Sequence, residues 1–229
     1  MTTVFVPIKG ESQRVPGKNF RIFNGMPLWQ RCLCRFAKHF LVHVNTDSPR
    51  LMAYIQQKFP ADVVRVAMRK EGLVGNDVPM NALLQDYAQE HCAPDDTIIQ
   101  VHVTSPFLNP ATVKRAAHAV EAGEADSVVS CNHIQSRLWR KDGYGYCPVN
   151  HNPMLLQNTQ SLPVFYEENS AFYIMRASVV GSTGNRVGLH PLFVEVPFPE
   201  NMDIDTEDNW SACVAMCDAH VPGTEMFEV

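Results

Sequence analysis

Short apolar, β-branched segments alternate with longer stretches of helical period along this chain up to about Asn132. That alternation is what βαβ units require, because parallel strands are joined by crossover helices that cover the faces of the sheet. Strands are expected at Thr3–Ile8, Leu41–Thr46, Asp62–Ala67, Thr97–Val103 and Ser127–Cys131, each apolar enough to be covered on both faces. The pattern resumes at Ala171–Met175 and Leu192–Val196, and Thr206 is placed to cap a last helix ending near His220. The implied class is α/β with a mostly parallel sheet, in a single domain spanning 1–229, which suits a chain of 229 residues.

Helix starts are marked by chemistry. Ser48-Pro49 and Asn109-Pro110 each pair a capping side chain with a proline at the first helical position, where no amide hydrogen is missed. Pro27 is expected in the first turn of a helix whose stripe is Leu28, Cys32, Leu33, Phe36, Ala37 and Phe40. From His133 to about Glu168 the pattern breaks, with Asp142-Gly143, Gly145, Pro148, Asn152-Pro153 and Pro163 punctuating the segment. A long insertion of this kind is usually functional, and Trp139, Tyr144, Tyr146, Phe165 and Tyr166 suit an arm that packs on a second subunit.

Charge narrows the ligand. Lys plus Arg number 19 and Asp plus Glu 24, a net of −5, so there is no overall positive field for nucleic acid and any anion must be met by local cations. No apolar run approaches the roughly 20 residues of a membrane span, and Met1–Lys9 lacks the features of a secretory signal. Seven cysteines without a paired C-x2-C fit free, mostly buried thiols in a reducing cytoplasm. Nine histidines form no H-E-x-x-H, so a His-ligated metal is not expected.

Two segments carry chemistry. The first strand runs into a loop, residues 9–19, that holds the cations Lys9, Arg14 and Lys18 and the glycines Gly10 and Gly17. Ligands of open α/β sheets bind at the carboxyl ends of strands, where exposed amides and positive side chains receive phosphates. The loop is neither a P-loop nor a dinucleotide fingerprint, and composition alone favours a solvated basic loop. The second segment is Asp203-Ile204-Asp205-Thr206, whose alternate carboxylates can share one hard cation such as Mg2+, or can serve as acids before a capped helix.

The segments together resemble the CMP-sialic acid synthetases (acylneuraminate cytidylyltransferases), relatives of the CMP-KDO synthetases. The resemblance runs through Val6–Asn19, Arg69 with Leu73, Asp77 and Met80-Asn81, Thr104–Leu108, Glu168–Ile174 and Asp203–Thr206, in family order. It implies a Rossmann-like, GT-A-like nucleotidyltransferase fold of three αβα layers, with 133–168 as an inserted dimerisation arm. It further implies a homodimer and a Mg2+-dependent transfer of CMP from CTP to an acidic sugar with release of pyrophosphate. By the same resemblance Lys9, Gly10, Arg14, Lys18 and Asn19 hold the triphosphate and ribose, and Arg69 and the backbone near Asn81 select cytosine. Asp203 and Asp205 hold Mg2+, and His102, Ser105 and Asn169 meet the acceptor. The chain departs from the family at Lys9, Gln13, Arg14, His102, Thr159 and Ser170. Those departures keep open a KDO-like sugar, another nonulosonate or a phosphonate as acceptor, and a non-catalytic CTP-binding relative as the remaining class.

Overall fold

The computed structural model describes residues 1–225. Its strands are β1 (Thr2–Ile8), β2 (Ile22–Phe23), β3 (Met26–Pro27), β4 (Leu41–Thr46), β5 (Val64–Met68), β6 (Thr97–Val101), β7 (Ser127–Ile134), β8 (Trp139–Asp142), β9 (Gly145–Pro148), β10 (Phe165–Arg176) and β11 (Pro191–Glu195). The helices are α1 (Leu28–Phe36), α2 (Pro49–Lys58), α3 (Met80–His91), α4 (Pro110–Glu121), α5 (Ala177–Thr183) and α6 (Glu207–Asp218).

Seven strands form the central sheet in the order β11-β7-β10-β6-β1-β4-β5. All neighbours pair in parallel except β10, which runs antiparallel to both β6 and β7. The middle strands are apolar and covered on both faces: every residue of β6 is buried, as are Val4, Phe5 and Val6 of β1. One core face gathers Val6, Leu33, Val44, Ile99, Val113 and Ile174, and the other gathers Phe5, Leu84, Tyr87, Ile98, Val129 and Tyr173. These two clusters flank one sheet, which gives the three-layer αβα arrangement.

Several expectations are corrected. The edge strands β5 and β11 are largely exposed, because each has a neighbour on one side only. The strand expected over Asp62–Ala67 starts two residues later, since Val63 and Val64 first close turns onto Pro60. The strand expected to reach Val103 ends at Val101, where β10 stops pairing with it. Pro27 is not inside α1; its extended backbone (φ −55°, ψ 142°) caps the helix while it pairs with Ile22 in the β2-β3 ribbon. That helix stops at Phe36, and Phe40 packs on the core from beyond its end.

α1 is also buried nearly all round, including Arg31 and Arg35. Arg35 donates to the carbonyls of Leu108 (2.8 Å) and Pro106, and Arg31 Nε donates to Pro106 O at 3.1 Å. The two guanidiniums therefore clamp the segment that follows β6, and burial pulls the Arg35 pKa down to about 9. Ser48 and Asn109 cap α2 and α4 as their sequences imply, and Thr206 with Asn209 forms a capping box on α6.

The insertion is ordered. Its first two residues belong to β7 and its last four to β10, so those strands continue past the sheet edge and carry the β8-β9 hairpin between them. The free-standing part is accordingly 135–164. Among the described residues no helix is long and apolar enough to cross a membrane.

Candidate active site

A cleft of about 680 Å³ opens at the carboxyl ends of β1 and β6. Its first wall is the loop after β1. There Gly17 adopts φ +64°, the left-handed region, and starts the 3-10 turn that directs Lys18 and Asn19 inward. Lys18 is only 6% exposed; its Nζ donates to Ile204 O at 2.5 Å and lies 3.7 Å from Asp205 Oδ1. Burial lowers its pKa, with Asp205 and Asp203 opposing that shift. Arg14, mostly exposed, pairs with Asp205 Oδ2 at 2.8 Å. Lys9 Nζ reaches Asn76 Oδ1 at 3.2 Å, and Asn19 donates to Lys9 O at 2.7 Å while its buried Oδ1 has no partner.

Asp203 and Asp205 flank buried Ile204, whose amide donates to Thr104 O at 2.9 Å and so ties the acidic turn to the end of β6. Extended backbone at this point sends both carboxylates into the cleft. Desolvation raises the Asp203 pKa, the Thr104 hydroxyl opposes this, and neighbouring Asp205 adds to it. A half-buried carboxylate pair of this kind calls for positive charge, which Arg14 and Lys18 supply in the structure. Two carboxylates facing an open cleft fit Mg2+, which keeps waters and substrate phosphates among its ligands.

Arg69 lines the same cleft from the end of β5. It is 5% exposed and its Nε donates to Asn45 Oδ1 at 2.8 Å; Nη1, buried without a hydrogen bond, stands 3.7 Å from Asp47. Asp47 also accepts the Gly10 amide at 2.6 Å, so Gly10 N–H is committed to the protein rather than to a ligand. Gly10 sits against Ser48, where a Cβ would approach the Ser48 Cβ to 2.9 Å. The residue is required for packing, and it does not line the cleft.

The second wall comes from β6, β10 and the segment before β11. His102, Asn169, Ser170 and Arg186 line it. Ser170 has φ +57° inside the irregularity where β10 shifts register against β7 between Glu168 and Tyr173. Asn169 donates to Asn132 Oδ1 at 3.0 Å. His102 is neutral at physiological pH, its pKa pushed down to about 4 chiefly by burial and further by Arg186.

Two expected contacts lie elsewhere. Ser105 is buried beneath the turn after His102, its hydroxyl unpartnered and outside the cleft lining. Asn81, second residue of α3, turns its side chain outward to Asn185 Oδ1 at 3.1 Å, and Met80 takes the cleft position. Arg186 and Asp47 were not foreseen. Asp47 directly follows β4, so the rule that ligands gather at strand carboxyl ends would have flagged it, whereas Arg186 follows a helix and carries no local signal.

Among curated relatives, this chain is 29% identical over 141 residues to 3-deoxy-manno-octulosonate cytidylyltransferase 2 of Hydrogenovibrio crunogenus, covering 60% of this chain and 54% of that protein. The chain thus spans about half the length of that relative. It is 26% identical over 225 residues to CMP-N,N'-diacetyllegionaminic acid synthase of Legionella pneumophila subsp. pneumophila, covering 90% of this chain and 91% of that one. The fold is shared with a solved CMP:2-keto-3-deoxy-manno-octonic acid synthetase complexed with CTP, at TM-score 0.64 and 17% identity, over 96% of this chain and 99% of that one. Residues 3–192 match the family model described as cytidylyltransferase, and the chain belongs to that family of nucleotidyltransferases.

Proposed function

We propose that the protein transfers CMP from CTP to the anomeric hydroxyl of a 3-deoxy-2-ulosonic acid of the sialic-acid class, releasing pyrophosphate, with Mg2+ held by Asp203 and Asp205. The observation that carries this reading is that the cationic loop and the carboxylate pair line one cleft, with Lys18 Nζ only 3.7 Å from Asp205. The near full-length match to a legionaminic acid synthase supports a nonulosonate over a shorter acid.

In the reaction the acceptor hydroxyl oxygen bonds to the α-phosphorus, the bond from that phosphorus to the β-bridging oxygen breaks, and pyrophosphate departs with the electron pair. The hydroxyl proton passes to water in the open cleft. Mg2+ would supply charge neutralisation at the α-phosphate and acidify the attacking hydroxyl. Lys9, Arg14 and Lys18 neutralise phosphate oxygens, Lys18 being held by Ile204 O and therefore pre-positioned. Asn19 Oδ1 and Arg69 Nη1, buried polar atoms without hydrogen bonds, are placed to be satisfied by the nucleoside. The exposed arm joins two copies, and the reaction belongs in the cytoplasm, where CTP is made.

Pyrophosphate release measured with CTP, Mg2+ and a panel of acidic sugars, repeated with ATP, GTP and UTP, tests this. Release with CTP and a nonulosonate is expected. Release with a phosphonate alone, or equal rates with all four nucleotides, would overturn the acceptor or the base assignment respectively.

A further inference from the structure

Gln100 is fully buried in β6, and its amide lies between two partners of different chemistry. Arg186 Nη1 stands 3.3 Å from Gln100 Oε1, and Gln100 Nε2 stands 2.7 Å from His102 Nε2. A guanidinium has only donors, so the amide oxygen must face it and the amide nitrogen must face the imidazole. That nitrogen also only donates. Nε2 of His102 therefore accepts, and the single ring proton of the neutral imidazole sits on Nδ1. Arg186 and His102 together then offer hydrogens alone: the remaining guanidinium N–H groups and the His102 Nδ1–H, which has no hydrogen-bond partner among the described residues.

Arg186 is braced for this task. Its guanidinium lies 3.6 Å over the centre of the Tyr173 ring, whose hydroxyl donates to Glu168 at 2.6 Å. The cations lining the cleft are Lys9, Arg14, Lys18, Arg69 and Arg186. Arg14 and Lys18 face Asp205, and Arg69 faces Asp47. Among the described residues, Lys9 and Arg186 have no acid within ion-pair distance, and Lys9 belongs to the loop after β1. Arg186 stands on the other side of β6, beside β10, where an acceptor entering opposite the triphosphate would lie.

We propose that Arg186, together with the Nδ1–H of His102, forms the subsite that binds the acceptor's carboxylate. This rests on the reading that the acceptor is an acidic sugar. A planar guanidinium matches a carboxylate with two parallel hydrogen bonds, which a lysine cannot reproduce. His102 is then a donor to the substrate and not the base that removes the hydroxyl proton.

The test uses the nonulosonate that best serves the wild type in the pyrophosphate assay and its neutral C1 carboxamide, with the Arg186→Gln and Arg186→Lys variants. Arg186→Gln should raise the acceptor KM by about 10- to 100-fold, with Arg186→Lys intermediate and the KM for CTP within about twofold. Wild type should prefer the acid strongly over the carboxamide, and Arg186→Gln should lose that preference. Retention of the full preference by Arg186→Gln would overturn the assignment. The 15N shifts of His102 in the wild type give a reading independent of any variant: a protonated Nδ1 is expected, and a protonated Nε2 would overturn the donor polarity. No release by the wild type with any acidic sugar would instead remove the parent reading, and the subsite with it.

Discussion

In the cleft, charged groups are buried and held within one chain: Lys18 is 6% exposed and Arg69 5%, and each donates to a named oxygen. In the arm, apolar groups are left in water: Leu156 is 96% exposed, Met154 87% and Tyr146 70%. Burying one such side chain is worth about 1.5–3 kcal/mol, so the arm carries a driving force that a single chain does not use. If the arm joins two copies as proposed, the two regions should respond to different variables: the cleft to ligands and pH, the arm to protein concentration.

The largest expected effect lies in the cleft. Asp205→Ala should lower turnover by about 100- to 1000-fold, the usual loss on removing one preorganised electrostatic group, while leaving self-association intact. Stopped assays on samples matched in concentration check this, and turnover near the wild type would detach the acidic pair from the chemistry.

The next effect concerns the sheet's pH dependence. Burial, with His91 and Arg65 adding, holds the buried His43 pKa down at about 4 against an ordinary 6.5. Because the folded value is the lower one, the stabilisation is present above pH 6.5 and is lost as pH falls toward 4, by about 3 kcal/mol at most. Urea midpoints across that range should fall for the wild type and stay flatter for His43→Asn, at any protein concentration. A slope that changes with concentration would instead make His43 part of an interface.

In the arm, Leu156→Asp should weaken self-association by at least about tenfold while changing the stability of the isolated chain by no more than about 0.5 kcal/mol. Sedimentation over a dilution series separates the two. The smallest effect, about 1 kcal/mol, is expected from Thr206→Ala, which removes the side-chain cap of α6 and should leave the sedimentation behaviour unchanged.

Legibility in the sequence follows the same division. The central strands could be read because a strand buried on both faces is a continuous apolar run, as Thr97–Val101 is. The edge strands β5 and β11 blurred, since half of their residues answer to solvent. In the site, Lys18, Asp203 and Asp205 were visible as local clusters flanking predicted elements. Arg186 was not, because its role depends on Gln100 and Tyr173, which reach it only through the sheet. The Ser105 hydroxyl and the Asn81 side chain face away from the cleft for a related reason: motif membership fixes the backbone, while one turn of chain decides which way a side chain faces. Arg31 and Arg35 lie outside the apolar stripe of α1 and are buried all the same, because the segment after β6 covers them through the carbonyls of Pro106 and Leu108.

The antiparallel course of β10 has a further consequence. The chain leaves the sheet at the end of β7 on the same rim where β1 and β6 deliver their residues to the cleft, and it returns through β10 at that rim. Residues can be added to or taken from the stretch between departure and return without shifting the register of any core strand. The mouth of the molecule is therefore free to be rewritten for a new ligand, while the unit that must fold stays as it was.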